Sequence, residues 1–345
     1  MAVKKTARLI DVANEVGISR AAVARVLLGT GAGKIRVSEA ASERIRVAAK
    51  KLNYKPNIAA QQLKGKSNKT IAVIAIDNSP RVMVDRIYAM EKRAWEFGYD
   101  LLLCRTPFLE GNNLGEFIER LNNRYLDGLI VLDQISERQK IDQNNRIFSD
   151  FKTVYHGYAI SDDGDYGVDP DVSTGTSIAV QHCIDQGRQR IALATFFNYQ
   201  QRIASWKKTL QKSMLIPDVN LCYLHHSNAG NKHITEASHA KEVVNHCIFK
   251  SQADAIICEN DYWAARILNE CQSRGIRVPE DVALVGYNNL DFTEFTSPPL
   301  TTIDECNDTI GKALVDQLLS LVNNENPQQS KIISVEPKLV VRSST

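Results

Sequence analysis

The longer part of the chain, residues 70–345, alternates short apolar runs with amphipathic stretches. Uninterrupted apolar runs of this length are typical of strands that are buried on both faces of a parallel sheet. Six runs predict strands: TIAVIAI from Thr70, YDLLLC from Tyr99, GLIVL from Gly128, RIALATF from Arg190, DAIICEN from Asp254 and VALVGY from Val282. The stretches between them, such as VDRIYAMEKRAWEFG, predict amphipathic helices. We therefore expect a doubly wound α/β body of two lobes, each with its own parallel sheet and with a ligand cleft between them.

The first 66 residues have a helical pattern instead. Leu9, Val12 and Val16 recur at helical spacing, and Gly17-Ile18 interrupts this first helix. Ser19 then offers a side-chain oxygen to the free backbone N–H groups at the start of a second helix, which predicts an N-cap.

The second helix has two contrasting faces. At about 3.6 residues per turn, its apolar face consists of Ala22, Val23 and Val26. The opposite face is small and basic, and it consists of Arg20, Ala21, Ala24 and Arg25. Alanines let a groove wall approach closely, and the arginines can then reach base edges or phosphates. The pattern indicates a helix-turn-helix whose second helix enters the DNA major groove. The alternative is an amphipathic helix with a solvated face, because short helix-turn-helix patterns also occur by chance.

Charge is distributed unevenly between the head and the body. Residues 1–66 contain 14 Lys and Arg against four Asp and Glu, which gives a formal charge of +10. Because the whole chain is +2, the remaining 279 residues sum to −8. A basic head on a mildly acidic body indicates a polyanion partner for the head alone. A solvated basic tail would lack the apolar periodicity that this segment has.

Further segments complete the head. Ser38 is the predicted N-cap of a third helix, which ends near the sequence NYKP at Asn53. A short helix-compatible segment, residues 57–66, follows before a polar linker. Together the pieces LIDVANEVGIS, ARVL, VSEA, LNYKPN and AAQQLKGKS resemble the LacI–GalR family of bacterial transcription regulators.

This resemblance implies a role for each part of the head. Residues 1–56 would form the helix-turn-helix domain, 57–69 a hinge helix and linker, and 70–345 a two-lobed effector-binding and dimerisation domain. Arg20, Ala21 and Arg25 would read base edges, and Leu63 would wedge into the minor groove and bend the DNA. The full set of expected DNA contacts is Ser19, Arg20, Ala21, Ala24, Arg25, Lys34, Arg36, Tyr54, Asn57, Ala60 and Leu63.

The loop from Leu28 to Arg36 is longer than the family pattern. Its sequence GTGAGK lacks the GxxxxGK[ST] spacing, and no apolar strand precedes it, so a nucleotide-binding loop is not favoured. A loop that presents Lys34 and Arg36 to the DNA backbone is the favoured interpretation.

The resemblance continues through FGYDLLLC, LDGLIVL, VPEDVALVGYNN and SPPLTTI in the body. It implies a fold similar to periplasmic sugar-binding proteins, with chain crossings between lobes near residues 166–169, 290–295 and 323–327. A small polar effector, a sugar or sugar derivative, would bind between the lobes. The expected effector contacts are Ser79, Met83, His156, Arg202, Asn260 and Asn288. Simpler roles stay open for three of them: Arg202 could cover a helix end, Asn260 could cap a helix, and Asn288 could be a turn residue.

The remaining features predict no cofactor and no metal. Seven cysteines are scattered without a CxxC pair, which is typical of reduced thiols in a cytoplasmic protein. Five histidines between His225 and His246 lack a zinc-binding spacing. There is no secretory signal and no apolar segment of about 20 residues, so we expect a cytoplasmic protein without membrane contact.

These observations favour a homodimeric transcription regulator, most simply a repressor, that binds double-stranded operator DNA and is not an enzyme. The alternative is a cytoplasmic small-molecule-binding protein or an enzyme whose basic head does not read DNA sequence.

Overall fold

The chain forms two compact units, residues 1–68 and 69–345. The structure, a computed structural model, describes residues 7–29, 36–55, 67–76, 82–106, 113–132, 148, 150–157, 166–195, 200–224, 236–325 and 331–345. We call the first unit the head and the second the body, and we describe each by itself.

Three helices make up the described part of the head, as the sequence predicts. They are α1 (Leu9–Val16), α2 (Arg20–Leu28) and α3 (Glu39–Lys51). Gly17 ends α1 in the left-handed region at φ 67°, where glycine has no steric penalty. Two residues later, the Ser19 hydroxyl accepts a 3.3 Å hydrogen bond from the Ala22 backbone N–H and caps α2. The turn between the two helices is therefore specified by local sequence.

The head has its own apolar core. The buried members come from all three helices: Val12, Ala13, Val16, Val23, Ile45, Ala48 and Ala49. Val23 and Ile45 are fully buried and lie on α2 and α3, so these two helices hold each other by packing. The apolar underside that the sequence predicted for α2 is confirmed at Ala22 and Val23.

The body contains two six-stranded sheets. In chain order the strands are β1 (Thr70–Ile76), β2 (Asp100–Thr106), β3 (Gly128–Val131), β4 (Thr153–His156), β5 (Tyr166–Asp169), β6 (Ile191–Thr195), β7 (Cys222–Leu224), β8 (Ala255–Cys258), β9 (Ala283–Tyr287), β10 (Thr301–Asp304), β11 (Ile332–Ser334) and β12 (Lys338–Val340). The first sheet has the order β11-β5-β4-β3-β1-β2, and the second has the order β12-β10-β9-β8-β6-β7. Among the described strands every pairing is parallel except that of β10 with β12. The predicted two-lobed α/β body is confirmed.

Seven helices connect these strands in the described part of the body. They are α4 (Val82–Glu96), α5 (Asn113–Asn122), α6 (Val172–Asp185), α7 (Gln200–Lys212), α8 (Glu236–Val243), α9 (Asp261–Ser273) and α10 (Asn307–Val322). The first lobe contains α4, α5 and α10, and the second lobe contains α6 to α9. In the described part of the chain, no helix combines the length and apolarity that a membrane crossing needs.

The chain crosses between the lobes three times. The first crossing follows β5 at residues 169–172, beside the predicted segment 166–169. The other two lie later than predicted, at residues 304–307 between β10 and α10, and at residues 334–338 between β11 and β12. Leu290 and Phe292 do pack against the core of the first lobe, but the chain returns from them to β10 in the second sheet. The predicted crossing at residues 290–295 is therefore a contact with the first lobe and not a crossing.

Helices α4 and α10 of the first lobe pack so closely that one position between them requires glycine. A Cβ built on Gly311 of α10 would lie 2.7 Å from both the Ala89 Cβ and the Arg86 carbonyl oxygen of α4. Two of the neighbouring atoms belong to the backbone, so they can move away only if one helix shifts. The close contact of the two helices fixes the position of Arg86 relative to the start of α10.

We expect Gly311→Ala to destabilise the body by about 1–3 kcal/mol, because the added methyl forces α4 and α10 apart. Chemical denaturation followed by circular dichroism measures the change. Thr309→Ala, an exposed substitution on the same helix, is the control and should stay within about 0.5 kcal/mol of the unaltered protein. An equal stability of both variants would contradict the close packing.

Candidate DNA-reading surface and effector site

The predicted reading face of α2 is accessible. Arg20 and Ala21 are exposed, and Ala24 and Arg25 are half-buried. The Arg20 side chain has no hydrogen-bond or ion-pair partner within the part of the chain that the structure describes. Its charge is therefore available to a partner molecule.

Other basic side chains of the head are used internally. Arg44 donates a 3.0 Å hydrogen bond to the Val16 carbonyl oxygen, and Lys51 forms a 2.7 Å ion pair with Glu15. This ion pair raises the pKa of Lys51. Arg46 lies 3.4 Å from both Glu39 and Glu43 on its own helix. The contrast with Arg20 shows that the head does not pair all of its positive charge.

The other predicted DNA contacts differ in exposure, and four of them lie outside the described residues. Arg36 is exposed ahead of α3, while Tyr54 is half-buried and packs against the head core, which raises its pKa through burial. Lys34, Asn57, Ala60 and Leu63 lie outside the described residues.

In the body, three of the six predicted effector residues lie at or just after the carboxyl ends of strands. His156 is the last residue of β4, and Asn260 and Asn288 follow β8 and β9. This edge is where open α/β sheets bind ligands. Ser79 lies outside the described residues.

On the first lobe's side of this edge, the buried Arg86 contacts several polar groups; the sequence did not predict it as a site residue. Arg86 of α4 is 1% exposed. Its Nη2 donates to Glu305 Oε2 at 3.0 Å and to Asn307 Oδ1 at 2.6 Å, and its Nη1 lies 2.7 Å from His156 Nε2. Met83 lies on the same helix face, with its sulfur 3.8 Å from Nη1. Arg86 could have been noticed, because it falls at helical spacing with the apolar residues Met83, Met90 and Ala94.

His156 is neutral in this cluster. Burial above all, and then the positive charge of Arg86, lower its pKa well below the ordinary value. Its Nδ1 lies 3.1 Å from the Leu132 carbonyl oxygen, so Nδ1 carries the proton and Nε2 accepts from Arg86. Both ring nitrogens of His156 are thus occupied by protein groups.

Asn288 connects the cluster to the second lobe. Its amide nitrogen donates a 3.0 Å hydrogen bond to the same oxygen, Glu305 Oε2, that binds Arg86. Glu305 lies in the crossing at residues 304–307, so its carboxylate is shared by the two lobes. Glu305 and Asn307 had no sequence signal of their own, because their role depends on where the chain crosses.

Arg202 and Asn260 lie on the second lobe's side. The Arg202 side chain is buried, with its guanidinium carbon 3.9 Å from the centre of the Tyr287 ring, a cation–π geometry. Gly175 leaves the space that the Tyr287 hydroxyl occupies, since a Cβ there would collide with it. Asn260 caps α9, because its side-chain oxygen accepts a 3.0 Å hydrogen bond from the Trp263 backbone N–H. The capping role does not use its amide nitrogen.

Asp261, next to Asn260, is a fully buried carboxyl group. Oδ1 accepts a 2.5 Å hydrogen bond from the Thr302 hydroxyl, and Oδ2 accepts a 2.7 Å bond from the Leu290 backbone N–H. Burial outweighs these bonds and raises the pKa of Asp261 from 3.8 to about 7. The group therefore ties the start of α9 to β10 and to the segment after β9, and it titrates near neutral pH.

Comparisons with known proteins agree with this architecture. Residues 8–57 match the family model described as bacterial regulatory proteins of the lacI family, and residues 180–345 match a periplasmic binding protein-like domain. The HTH-type transcriptional repressor PurR of Photobacterium profundum is 28% identical over 98% of both chains.

Two solved structures have the same fold. The lac repressor dimer bound to operator and the anti-inducer ONPF superposes with a TM-score of 0.78 at 23% identity over 99% of both chains. The transcriptional regulator CelR in complex with cellobiose superposes with a TM-score of 0.68 at 22% identity, over 98% of this chain and 100% of CelR.

A lacI-family helix-turn-helix domain is thus followed by a periplasmic-binding-protein-like domain. Together with the similarity to a transcription repressor over nearly the whole chain, this shows a DNA-binding transcription regulator.

We expect Asp261 to contribute a loss of stability as pH rises from about 4 to about 7, because the folded group keeps its proton up to a pKa of about 7 while the unfolded chain releases it near 3.8. Asp261→Asn removes this contribution, so the variant should gain stability relative to the unaltered protein as pH rises across that range. Denaturant unfolding at several pH values compares the two proteins. Superimposable pH profiles would show that Asp261 does not hold a proton in the folded state.

Proposed function

We propose that this regulator binds operator DNA as a homodimer and represses transcription, and that a small polar effector in the cleft of the body controls its DNA affinity. The observation that carries the proposal is the α2 face, where Arg20 and Ala21 are both exposed and Arg20 has no partner among the residues that the structure describes. Ser19 fixes the start of this helix, and Val23 anchors its underside. This arrangement suits entry into the major groove, where an arginine can donate two hydrogen bonds to guanine.

Operator bending belongs to the same proposal. The segment of residues 57–69 would fold as a hinge helix on DNA, with Leu63 as the wedge between base pairs. The cost of unstacking, a few kcal/mol, would be offset by a larger contact with bent DNA.

An exposed apolar stripe on α4 supports the homodimer. Val84, Tyr88 and Trp95 are four and seven residues apart, which places them on one helix face, and their exposed fractions are 54%, 68% and 75%. The opposite face of α4 is buried and contains Met90. Large apolar side chains that share an exposed face are typical of a protein interface. Two-fold pairing of heads also matches the symmetry of most operators that helix-turn-helix dimers read.

The relatives do not point to a single chemical class of effector. The family resemblance implies a sugar or sugar derivative, and the structure of CelR contains cellobiose. The relative from Photobacterium profundum reported above is a repressor named PurR. We therefore propose a small polar effector and keep the carbohydrate as one class within it.

We expect Arg20→Ala to weaken binding to a selected operator by about 10- to 100-fold while binding to random DNA changes little, because one base contact contributes about 1–3 kcal/mol. The operator is first selected from genomic fragments with the unaltered protein. Fluorescence anisotropy at several salt concentrations then measures the affinities for this operator and for random DNA. Arg46→Ala is the control, since Arg46 is paired on its own helix. A uniform loss on every DNA, with a salt slope smaller by about one, would assign Arg20 to a phosphate instead.

We expect Tyr88→Glu to convert the dimer to a monomer and to reduce operator affinity, because a charge would be buried in the interface. Analytical ultracentrifugation gives the oligomeric state, and anisotropy gives the affinity. Ile216→Glu, at an apolar residue of the other lobe that is 91% exposed, should change neither. A dimer that persists in the Tyr88 variant would place the interface elsewhere.

A further inference from the structure

The segment between α7 and β7 of the second lobe exposes three large apolar side chains. Met214, Ile216 and Val219 have exposed fractions of 93%, 91% and 70%. We call these three residues the apolar tip. Exposed apolar residues that occur singly are normal on a protein surface, but three within six residues form a patch. The apolar tip lies on the other lobe from the α4 stripe, so it is a separate surface.

The backbone of this segment is held in place by the fold. Leu215, in the middle of the segment, packs against the core of the second lobe. Its N–H donates a 3.0 Å hydrogen bond to the Leu210 carbonyl oxygen, which is how a helix commonly ends. Asp218 then caps the turn before β7, because its Oδ1 accepts a 2.9 Å hydrogen bond from the Asn220 backbone N–H. The apolar side chains are therefore presented by a defined backbone.

Met214 has a backbone conformation that methionine adopts only at a cost. Its φ is 60°, in the left-handed region, at the position after a helix where glycine is usual. The side chain gains no packing in return, since it is almost fully exposed. Strained residues of this kind occur preferentially at functional positions. The conformation of Met214 therefore supports a role for its side chain outside the fold.

Positive charge borders the apolar tip. Lys208 and Lys212 lie one turn apart on the outer face of α7, which leads into the tip, and Lys207 is next to them. We call these three residues the basic margin. All three are exposed, and none has a hydrogen-bond or ion-pair partner within the part of the chain that the structure describes. The acidic residue of the segment, Asp218, is engaged by its turn and lies 3.6 Å from Arg190.

The charges decide between the possible occupants of this surface. A second copy of the same surface would bring like charges together, which opposes association. An anionic membrane would attract the lysines but repel the acidic body, whose charges act over a Debye length of about 10 Å. A protein segment with carboxylates around an apolar face complements both the apolar tip and the basic margin.

We propose that the apolar tip and the basic margin form a docking surface for an acidic amphipathic segment of another protein. The apolar face of that segment covers Met214, Ile216 and Val219, and its carboxylates pair with the lysines. Methionine suits such a surface, because its unbranched side chain adapts to different partners. The surface shares no residue with the α2 face, the predicted effector site or the α4 stripe, so this inference does not depend on the proposed function.

The first test uses a synthetic amphipathic helix with leucines on one face and glutamates on the other as the probe. The same peptide with lysines in place of glutamates is its counterpart. Fluorescence anisotropy measures binding to the full-length protein, with excess double-stranded DNA present to occupy the basic head. We expect the acidic probe to bind about tenfold more tightly than the basic peptide and to weaken as salt rises. No binding of the acidic probe, or equal binding of both peptides, would overturn the proposal.

The second test is Ile216→Glu. We expect it to weaken the acidic probe about tenfold, because it removes an apolar contact and adds a like charge. Val341→Glu is the matched control: Val341 is an exposed aliphatic residue after β12, at the opposite edge of the second sheet from β7. It should bind the probe as the unaltered protein does. An equal effect of the two substitutions would place the binding elsewhere.

Met214→Gly separates binding from stability. It should weaken the acidic probe about fivefold, yet its Tm should equal or exceed that of the unaltered protein, because glycine adopts a φ of 60° without steric cost. Thermal unfolding and anisotropy on the same samples give both quantities. A lower Tm with unchanged probe affinity would make Met214 a structural residue and contradict its role in docking.

The other occupants are tested with the same samples. Vesicles of phosphatidylglycerol and phosphatidylcholine, again with excess DNA present, should not bind the protein in a co-sedimentation assay. Analytical ultracentrifugation should give one oligomeric state for the unaltered protein and for Ile216→Glu. Vesicle binding that Ile216→Glu abolishes, or a smaller oligomer in that variant, would overturn the proposal in favour of a membrane or of a second copy.

Discussion

The body depends on one buried charge. Arg86 is almost completely removed from solvent, and an isolated guanidinium in such a place would be very costly. Glu305 supplies the opposite charge, Asn307 and His156 supply acceptors, and the close contact of α4 with α10 at Gly311 keeps these groups in reach. Glu305 lies in a crossing and also accepts a hydrogen bond from Asn288. The residues that compensate the buried charge of Arg86 are therefore connected to both lobes.

The head has the opposite constraint, since the proposed DNA reading requires a charge that the described part of the fold leaves unpaired. Its small core is enough to orient three short helices, and the Gly17 turn with the Ser19 cap sets the angle at which α2 leaves α1. Neighbouring cations such as Arg44 and Lys51 are paired within the head, while Arg20 has no partner among the described residues. One face of α2 therefore packs against the head core, and the opposite face is the one proposed to contact DNA.

Several residues of the predicted effector site have a structural contact as well. Asn260 caps α9, His156 is saturated by Arg86 and the Leu132 carbonyl, and Arg202 lies over Tyr287. A buried polar group needs partners whether or not a ligand is bound, so such contacts are expected in a pre-organised site.

The sequence by itself determined the helices of the head, the turn between α1 and α2, the six long or strongly apolar strands and the two-lobed class of the body, because these follow from local periodicity, capping and apolar runs. It did not show the six remaining strands, each of which has only three or four residues, since pairing with a neighbouring strand is what makes them strands. Nor did it show the second and third crossings, or that Arg86, Glu305 and Asn288 meet. Arg86 and Glu305 are 219 positions apart along the chain, and only the packing of α4 against α10 brings them together.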